Sequence, residues 1–286
     1  MRWMIVLLAA GGAFAGDFRV DPTSVLQGQT LKVYGGGTAQ SARLQDRTIR
    51  LFAQLDGDEM GLMPIGVLLK PGGYKLEWLD SGGAVLHSMD LDVGNAHYAK
   101  QNIVLTKALT ELKSTPDERA SVAAFLAEVS PQRYWQEPLE APIAGCITSP
   151  FGVERLHNGK PTGDYHAGLD QRGQAGSPVH AAAAGIVKLA RQFTLRGGTV
   201  AIDHGQGLES IYLHMSGFAV KEGELVQQGA VIGYVGSTGR STGPHLHWTL
   251  YANGQPVNPL QWISLTPCES SSSTKPRRKH PPTKAA

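Results

Sequence analysis

Cysteine is nearly missing from this 286-residue chain: Cys146 and Cys268 are the only two, too few for a disulfide-built scaffold or a cysteine-rich metal cluster. Charge is sparse as well, at 17% of residues, and aromatic side chains make up 7%. No basic stripe with interleaved aromatics runs through the sequence, which argues against a nucleic-acid partner. No stretch carries the roughly eighteen uninterrupted apolar residues of a membrane-spanning helix.

What is there is an ordinary globular composition, 41% apolar, with 35 glycines that favour turns and strands over long helices. The length suggests two domains, each able to bury a core. Residues 1–15 read as a signal peptide: Arg2 supplies the positive end, Met4 to Ala10 a short apolar run, and Ala13-Phe14-Ala15 a small-x-small cleavage site. An uncleaved anchor or a buried first strand is the alternative. Gly16 stands where a lipoprotein would carry cysteine. Export to the periplasm is therefore expected, with secretion as the variant. An oxidising compartment also gives the two cysteines a choice, a staple across the C-terminal domain or two unconnected thiols.

The tail, residues 268–286, carries Lys275, Arg277, Arg278, Lys279 and Lys284 against Glu269, so the net charge of +2 misleads. Ser270 to Ser273 and three prolines build no core, and this segment is expected to be disordered. It could hold the protein near an anionic wall polymer or membrane surface, or simply be solvated.

Residues 16–110 show short, partly alternating apolar runs. Thr30 to Tyr34, Ile49 to Leu55, Leu62 to Leu69, Tyr74 to Leu79, Ala84 to Val93 and Asn102 to Leu105 read as strands, with a hairpin turn at Asp80 to Gly83. An immunoglobulin-like β-sandwich is the expected fold. His87 and His97 are isolated there and read as structural. Residues 111–144 form a connection: Thr115 as N-cap, Pro116 at the first position and Glu118 closing a capping box start a helix. Val122, Phe125, Leu126 and Val129 give it one apolar face, and Ser130-Pro131 ends it.

Residues 145–267 return to glycine-punctuated strands: Val179 to Leu189, Thr199 to His204, Glu209 to His214, Val231 to Val235 and His247 to Ala252, then a type I′ turn at Asn253-Gly254. The V-x-x-G-x-x-I-G pattern within Leu225 to Gly236 resembles the half-barrels of biotinyl and lipoyl domains. Those modules need a lysine on an exposed hairpin, and none occurs between Lys221 and the tail.

The most informative residues are His245-Leu246-His247. Two histidines two apart on an extended chain face one side, while Leu246 turns into the core. With His166 and Asp170 upstream they look like a zinc site, since hydrolytic zinc takes histidine nitrogen and carboxylate oxygen and keeps a position open for water. The His166 to Asp170 spacing suits a helix face, but Gly168 makes a turn into a strand as good a reading. The run Gly236 to Gly243 lacks the Gly-Lys-Ser/Thr ending of a phosphate loop and reads as a cleft wall.

Ser149-Pro150-Phe151-Gly152, Tyr165-His166-Ala167-Gly168-Leu169-Asp170, Tyr212-Leu213-His214-Met215-Ser216 and Ser241-Thr242-Gly243-Pro244-His245-Leu246-His247 together resemble the lysostaphin and LytM-type zinc metallopeptidases, over about 120 residues from Cys146 to Trp262. The resemblance implies a mainly β, half-barrel catalytic domain, zinc as cofactor and peptidoglycan cross-links as substrate. It implies metal ligation by His166, Asp170 and His247. His214 and His245 would stand beside the metal, one as base and the other bonding the oxyanion, the choice left open.

His180 and His204 read as framework residues, and His157 and His280 as exposed. Tyr165, Tyr212 and Trp248 could touch substrate or fill the core. Cleft walls are expected from Arg155 to Asp164 and from Gln192 to Gly198. The N-terminal module would target the wall or shield the site, and a monomer is expected. Some members of the resembled family have lost zinc ligands and act as non-enzymatic activators of other wall hydrolases, which is the alternative function, open to this chain if a segment plugs the cleft.

Overall fold

The fold was described from a computed structural model that defines residues 18–55, 57–265 and 268. The expected signal peptide, His280 and the basic tail beyond Cys268 lie outside the described residues.

The chain is mainly β. The N-terminal region holds two sheets. The first joins Arg19–Asp21, Thr30–Gly35, Glu59–Pro64 and Phe52–Ala53, and the second joins Val25–Leu26, Val85–Gly94, Gly72–Leu79, Ser41–Leu44 and Arg47–Arg50. Alternation explains the packing: Leu31 and Val33 turn inward between half-exposed Lys32 and Tyr34, and join Ile65, Leu76 and Trp78 from the rest of the module in one core. The Asp80 to Gly83 turn is present, with Asp80 Oδ1 accepting from the amides of Gly82 and Ala84 at 2.8 and 2.9 Å.

The C-terminal sheet runs Ile147–Ser149, Leu169–Arg172, His245–Ala252, Leu208–Met215, Gly198–Gly205, Gly185–Gln192 and Leu225–Val226, with all neighbours antiparallel. Every residue of Gly198–Gly205 is buried, because both faces of the sheet are covered. Val200 and Ile202 face the main core, whereas Ala201 meets Val122 and Phe125 of the helix Pro116–Ala127. The Asn253-Gly254 turn has both residues at positive φ, 47° and 73°, as a type I′ hairpin requires. Cys146 and Cys268 form a disulfide, Cα atoms 4.8 Å apart, that closes this region of the chain.

Several expectations need correction. The helix stops at Ala127, so Val129 lies beyond it and is exposed. Thr115 caps the Glu118 amide, but the Glu118 carboxylate does not close the box and binds elsewhere. Leu62 to Leu69 is not one strand, because Glu59–Pro64 starts earlier and ends at its proline, where the backbone loses its donor. Val179 to Leu189 is broken into Pro178–His180 and Gly185–Gln192. Lys100–Ile103, expected to belong to the N-terminal module, pairs in parallel with Glu154–His157 of the C-terminal region.

Candidate metal centre and active site

Three neighbouring strands bring the histidines and the aspartate together. Asp170 in Leu169–Arg172 sits directly across from His247 in His245–Ala252, which in turn faces Leu213 of Leu208–Met215. Along His245–Ala252, the half-buried His245 and His247 and then Thr249 share the cleft face, while Leu246, Trp248 and Leu250 are fully buried behind it. Gly168 is required by the same close packing: a Cβ there would run into the Trp248 carbonyl oxygen and lie 2.6 Å from Thr249 Oγ1. His166 and Asp170 thus approach through a turn into a strand, not along a helix.

His214 breaks the pleat. Tyr212 pairs with Val200 and Met215 with Gly198, so two residues, Leu213 and His214, oppose Thr199 in a β-bulge. His214 adopts φ 63°, the left-handed region that most side chains avoid. Strict alternation would send its ring to the core side with Tyr212. The bulge brings it into the cleft beside Leu213 instead.

Each of the four rings has its outer nitrogen tied to a hydrogen-bond partner. His166 Nδ1 donates to the Pro150 carbonyl at 2.8 Å, His214 Nδ1 to that of Thr238 at 2.8 Å, and His245 Nδ1 to that of Gly243 at 2.8 Å. His247 Nε2 lies 3.0 Å from Thr249 Oγ1, a hydroxyl able to donate or accept. The carbonyl partners assign the tautomers of His166, His214 and His245 and leave Nε2 of each ring as a free lone pair. For the three expected ligands the inward atoms converge: His166 Nε2 lies 3.0 Å from Asp170 Oδ1 and 3.0 Å from His247 Nδ1, which is 2.8 Å from Asp170 Oδ1. His245 Nε2 stands 3.8 Å from the same oxygen, and the His214 and His245 rings are 5.0 Å apart.

Electrostatics favour neutral His214 and His247 rings beside an anionic Asp170. Burial, with His247 and His245 nearby, pushes His214 down to about 3, and burial pushes His247 down to about 4 against the opposing pull of Asp170. Burial works to raise Asp170, but the contacts of His166 and His247 hold it well below the usual carboxylate range. Arg155 Nη2 reaches its other oxygen at 3.3 Å.

The donor set fits a divalent metal. Two imidazole nitrogens and one carboxylate oxygen lie within 4.8 Å of one another, and donors on one tetrahedral zinc stand about 3.3 Å apart. His166 Nε2, His247 Nδ1 and Asp170 Oδ1 stand 2.8 to 3.0 Å from one another, close enough for one cation to be shared among them. Each ligand also has an outer partner, the arrangement that orients metal-bound histidine and carboxylate.

Residues 164–259 match the model for peptidase family M23. The chain carries an M23 peptidase domain. The likeness to curated relatives covers less than half of this chain. The DD-carboxypeptidase/endopeptidase Mpg of Neisseria meningitidis serogroup B is 46% identical over 121 residues, 42% of this chain and 28% of that protein. Peptidoglycan DD-endopeptidase ShyA of Vibrio cholerae is 40% identical over 115 residues, 40% of this chain and 27% of that protein. The chain thus spans little more than a quarter of these relatives. A crystal structure of a putative peptidase M23 from Pseudomonas aeruginosa is similar across most of the molecule, with TM-score 0.64, 29% identity, and coverage of 85% of this chain and 95% of that one.

A cleft of about 520 Å³ opens over the M23 site. Its walls include Arg155, Thr162 and Asp164 on one side and Leu195 and Arg196 on another, with Arg240 and Ser241 from the glycine-rich loop, as expected. Tyr165 lines the cleft; Tyr212 and Trp248 are fully buried core residues. His157 also lines it, although the sequence placed it at the surface. His204 is fully buried between the Ala184 carbonyl and Ser210 Oγ, and half-buried His180 bonds the Pro142 carbonyl, both away from the cleft. Sequence reasoning missed Ile103 and Leu105, which reach the cleft from the segment before the helix, and Gln101, whose Oε1 accepts from Arg155 and Ser149 at 2.6 Å each. Among the described residues no cleft-lining side chain precedes Ile103.

Proposed function

We propose that this protein is a zinc-dependent endopeptidase that hydrolyses peptide cross-links of bacterial peptidoglycan, exported to the periplasm. The observation that carries the reading is the convergence of His166, Asp170 and His247 on one point, with His214 and His245 beside it. The names of two Vibrio cholerae relatives, peptidoglycan DD-endopeptidases ShyA and ShyC, support the substrate class. Residues 16–110 would form a separate β module, 111–144 the connection and 145–267 the catalytic domain.

His166, Asp170 and His247 would hold the zinc, which when bound polarises a carbonyl and brings water toward neutral acidity. The chain's own residues supply the proton handling. His214 and His245 are fixed by their Nδ1–H bonds with Nε2 bare, so each can take a proton from the attacking water. Once protonated, the same nitrogen becomes a donor for the leaving amine, and the second ring bonds the oxyanion when its own Nε2 carries a proton. Arg155, Arg196 and Arg240 line the cleft and outnumber Asp164 and Asp170, a balance that favours a carboxylate-bearing peptide.

The test is turnover on purified sacculi. The protein should release new amino groups, stop when zinc is stripped by a chelator, and resume when zinc is restored. Bound zinc with no release of amines, beside an active reference hydrolase, would move the assignment to a non-enzymatic activator.

A further inference from the structure

Glu118 is a buried carboxylate that the chemistry above does not use. It lies in the first turn of the helix Pro116–Ala127, before the residues matched to the peptidase family, and has no solvent exposure. A carboxylate survives such burial only where donors are aimed at it. Its oxygens accept from the Leu195 amide at 3.0 Å, the Arg196 amide at 3.2 Å and Arg196 Nη1 at 2.8 Å. A capping side chain would turn back onto Thr115. This one reaches across to the loop between Gly185–Gln192 and Gly198–Gly205, which forms one wall of the cleft.

The carbonyls of the same two loop residues point the other way, into the site. Leu195 O accepts the Arg240 amide at 2.9 Å, and Arg196 O accepts the His214 amide at 3.1 Å. His214 is the residue held at φ 63° in the bulge. A conformation of that kind persists only where its surroundings over-determine it. It is fixed by the bond from its amide to the Arg196 carbonyl, the bond from its ring to the Thr238 carbonyl, and a longer one that its own carbonyl accepts from the Thr238 amide at 3.4 Å. The first depends on a turn whose own amides are held by Glu118.

We propose that Glu118 is a positioning residue of the active site: it clamps the 195–196 turn, so that the Arg196 carbonyl holds His214 in its left-handed conformation with Nε2 toward the cleft. The inference rests on the reading of His214 as a proton-transfer group. It gives the helix a role in the chemistry, and it requires the expected zinc ligands, which lie outside the Leu208–Met215 strand, to be unaffected.

The experiment uses the full chain with Glu118→Ala, Glu118→Gln and, as a control, the exposed neighbour Asp117→Asn. Steady-state kinetics on a soluble cross-linked muropeptide, zinc per chain and hydrogen exchange at the His214 amide are measured for each. Glu118→Ala is expected to lose about 10- to 100-fold in kcat, the scale of a small misplacement of a reacting group, with bound zinc unchanged. The His214 amide should exchange roughly tenfold faster as its local bond opens. Glu118→Gln, which keeps one acceptor oxygen, falls between, and Asp117→Asn matches wild type. If Glu118→Ala does not fold, Glu118→Gln decides by the same readouts. Wild-type kcat and wild-type His214 protection in a folded, zinc-loaded Glu118 variant overturn the proposal. If the wild-type protein itself turns nothing over, the endopeptidase reading fails, and the amide exchange still decides the clamp.

Discussion

Two buried ionisable residues behind the cleft, His204 and Glu209, give the fold a pH dependence that can be worked out in sign. Burial pushes His204 down to about 4. Between that value and its unfolded value near 6.5 the unfolded chain binds the extra proton, so stability rises with pH across this window. Burial pushes Glu209 up to about 9, with Asp203 across the strand pair adding to it. From its unfolded value near 4.5 up to 9 the folded chain binds the extra proton, so stability falls as pH rises. Above pH 6.5 only the second slope remains of the two, at most about 1.4 kcal/mol per pH unit. Glu209→Gln should therefore flatten the fall in Tm between pH 6.5 and 9; an unchanged fall would exclude this carboxyl as its source. At the proposed metal site, Thr249→Val removes the hydroxyl partner of His247 Nε2 and should weaken zinc binding about 10- to 100-fold, measured by competition with a chromogenic chelator. The residue types of the site were legible because histidine spacing on a strand has a geometric meaning. The depressed titration of His214 and the burial of Glu118 were not, since both come from packing by segments distant in sequence.

At the scale of elements, the site depends on two departures from regular strands: the close crossing at Gly168 and the bulge at His214. Gly168→Ala should push Leu169–Arg172 away from His245–Ala252, costing about 1–3 kcal/mol. Because His166 and Asp170 flank it, zinc affinity should fall with Tm; a variant that loses stability and keeps wild-type affinity would show that the crossing only packs the sheet. Strands with clear alternation or long apolar runs, such as Thr30–Gly35 and Gly198–Gly205, were readable from the chain. Short edge strands such as Arg19–Asp21 and Val25–Leu26 were not, because two or three residues carry no period. The bulge was equally hidden: the run around His214 reads as unbroken strand, and only the pairing with Gly198–Gly205 reveals the extra residue.

Across the whole molecule, the N-terminal and catalytic regions are joined by specific bonds. Thr30 exchanges two backbone hydrogen bonds with the Gln261 carboxamide, both at 2.7 Å, Lys32 pairs with Glu137 at 2.7 Å, and Asn253 Nδ2 donates to the Leu62 carbonyl at 2.6 Å. The segment between them supplies Gln101 and Glu118 to the two sides of the site. A chain beginning at Glu137 keeps every expected ligand but lacks both, and should turn over at least about tenfold more slowly. Equal activity and wall binding would leave neither the N-terminal module nor this segment a functional role. The central claim is that three residues hold zinc while two others move protons. Zinc content and sacculus hydrolysis of wild type beside His247→Ala and His245→Ala test it most directly. The account predicts about one zinc per wild-type chain, loss of metal and activity in His247→Ala, and in His245→Ala retained metal with activity reduced by about 10²- to 10⁴-fold. Full activity in His245→Ala, or tight zinc in His247→Ala, would contradict it.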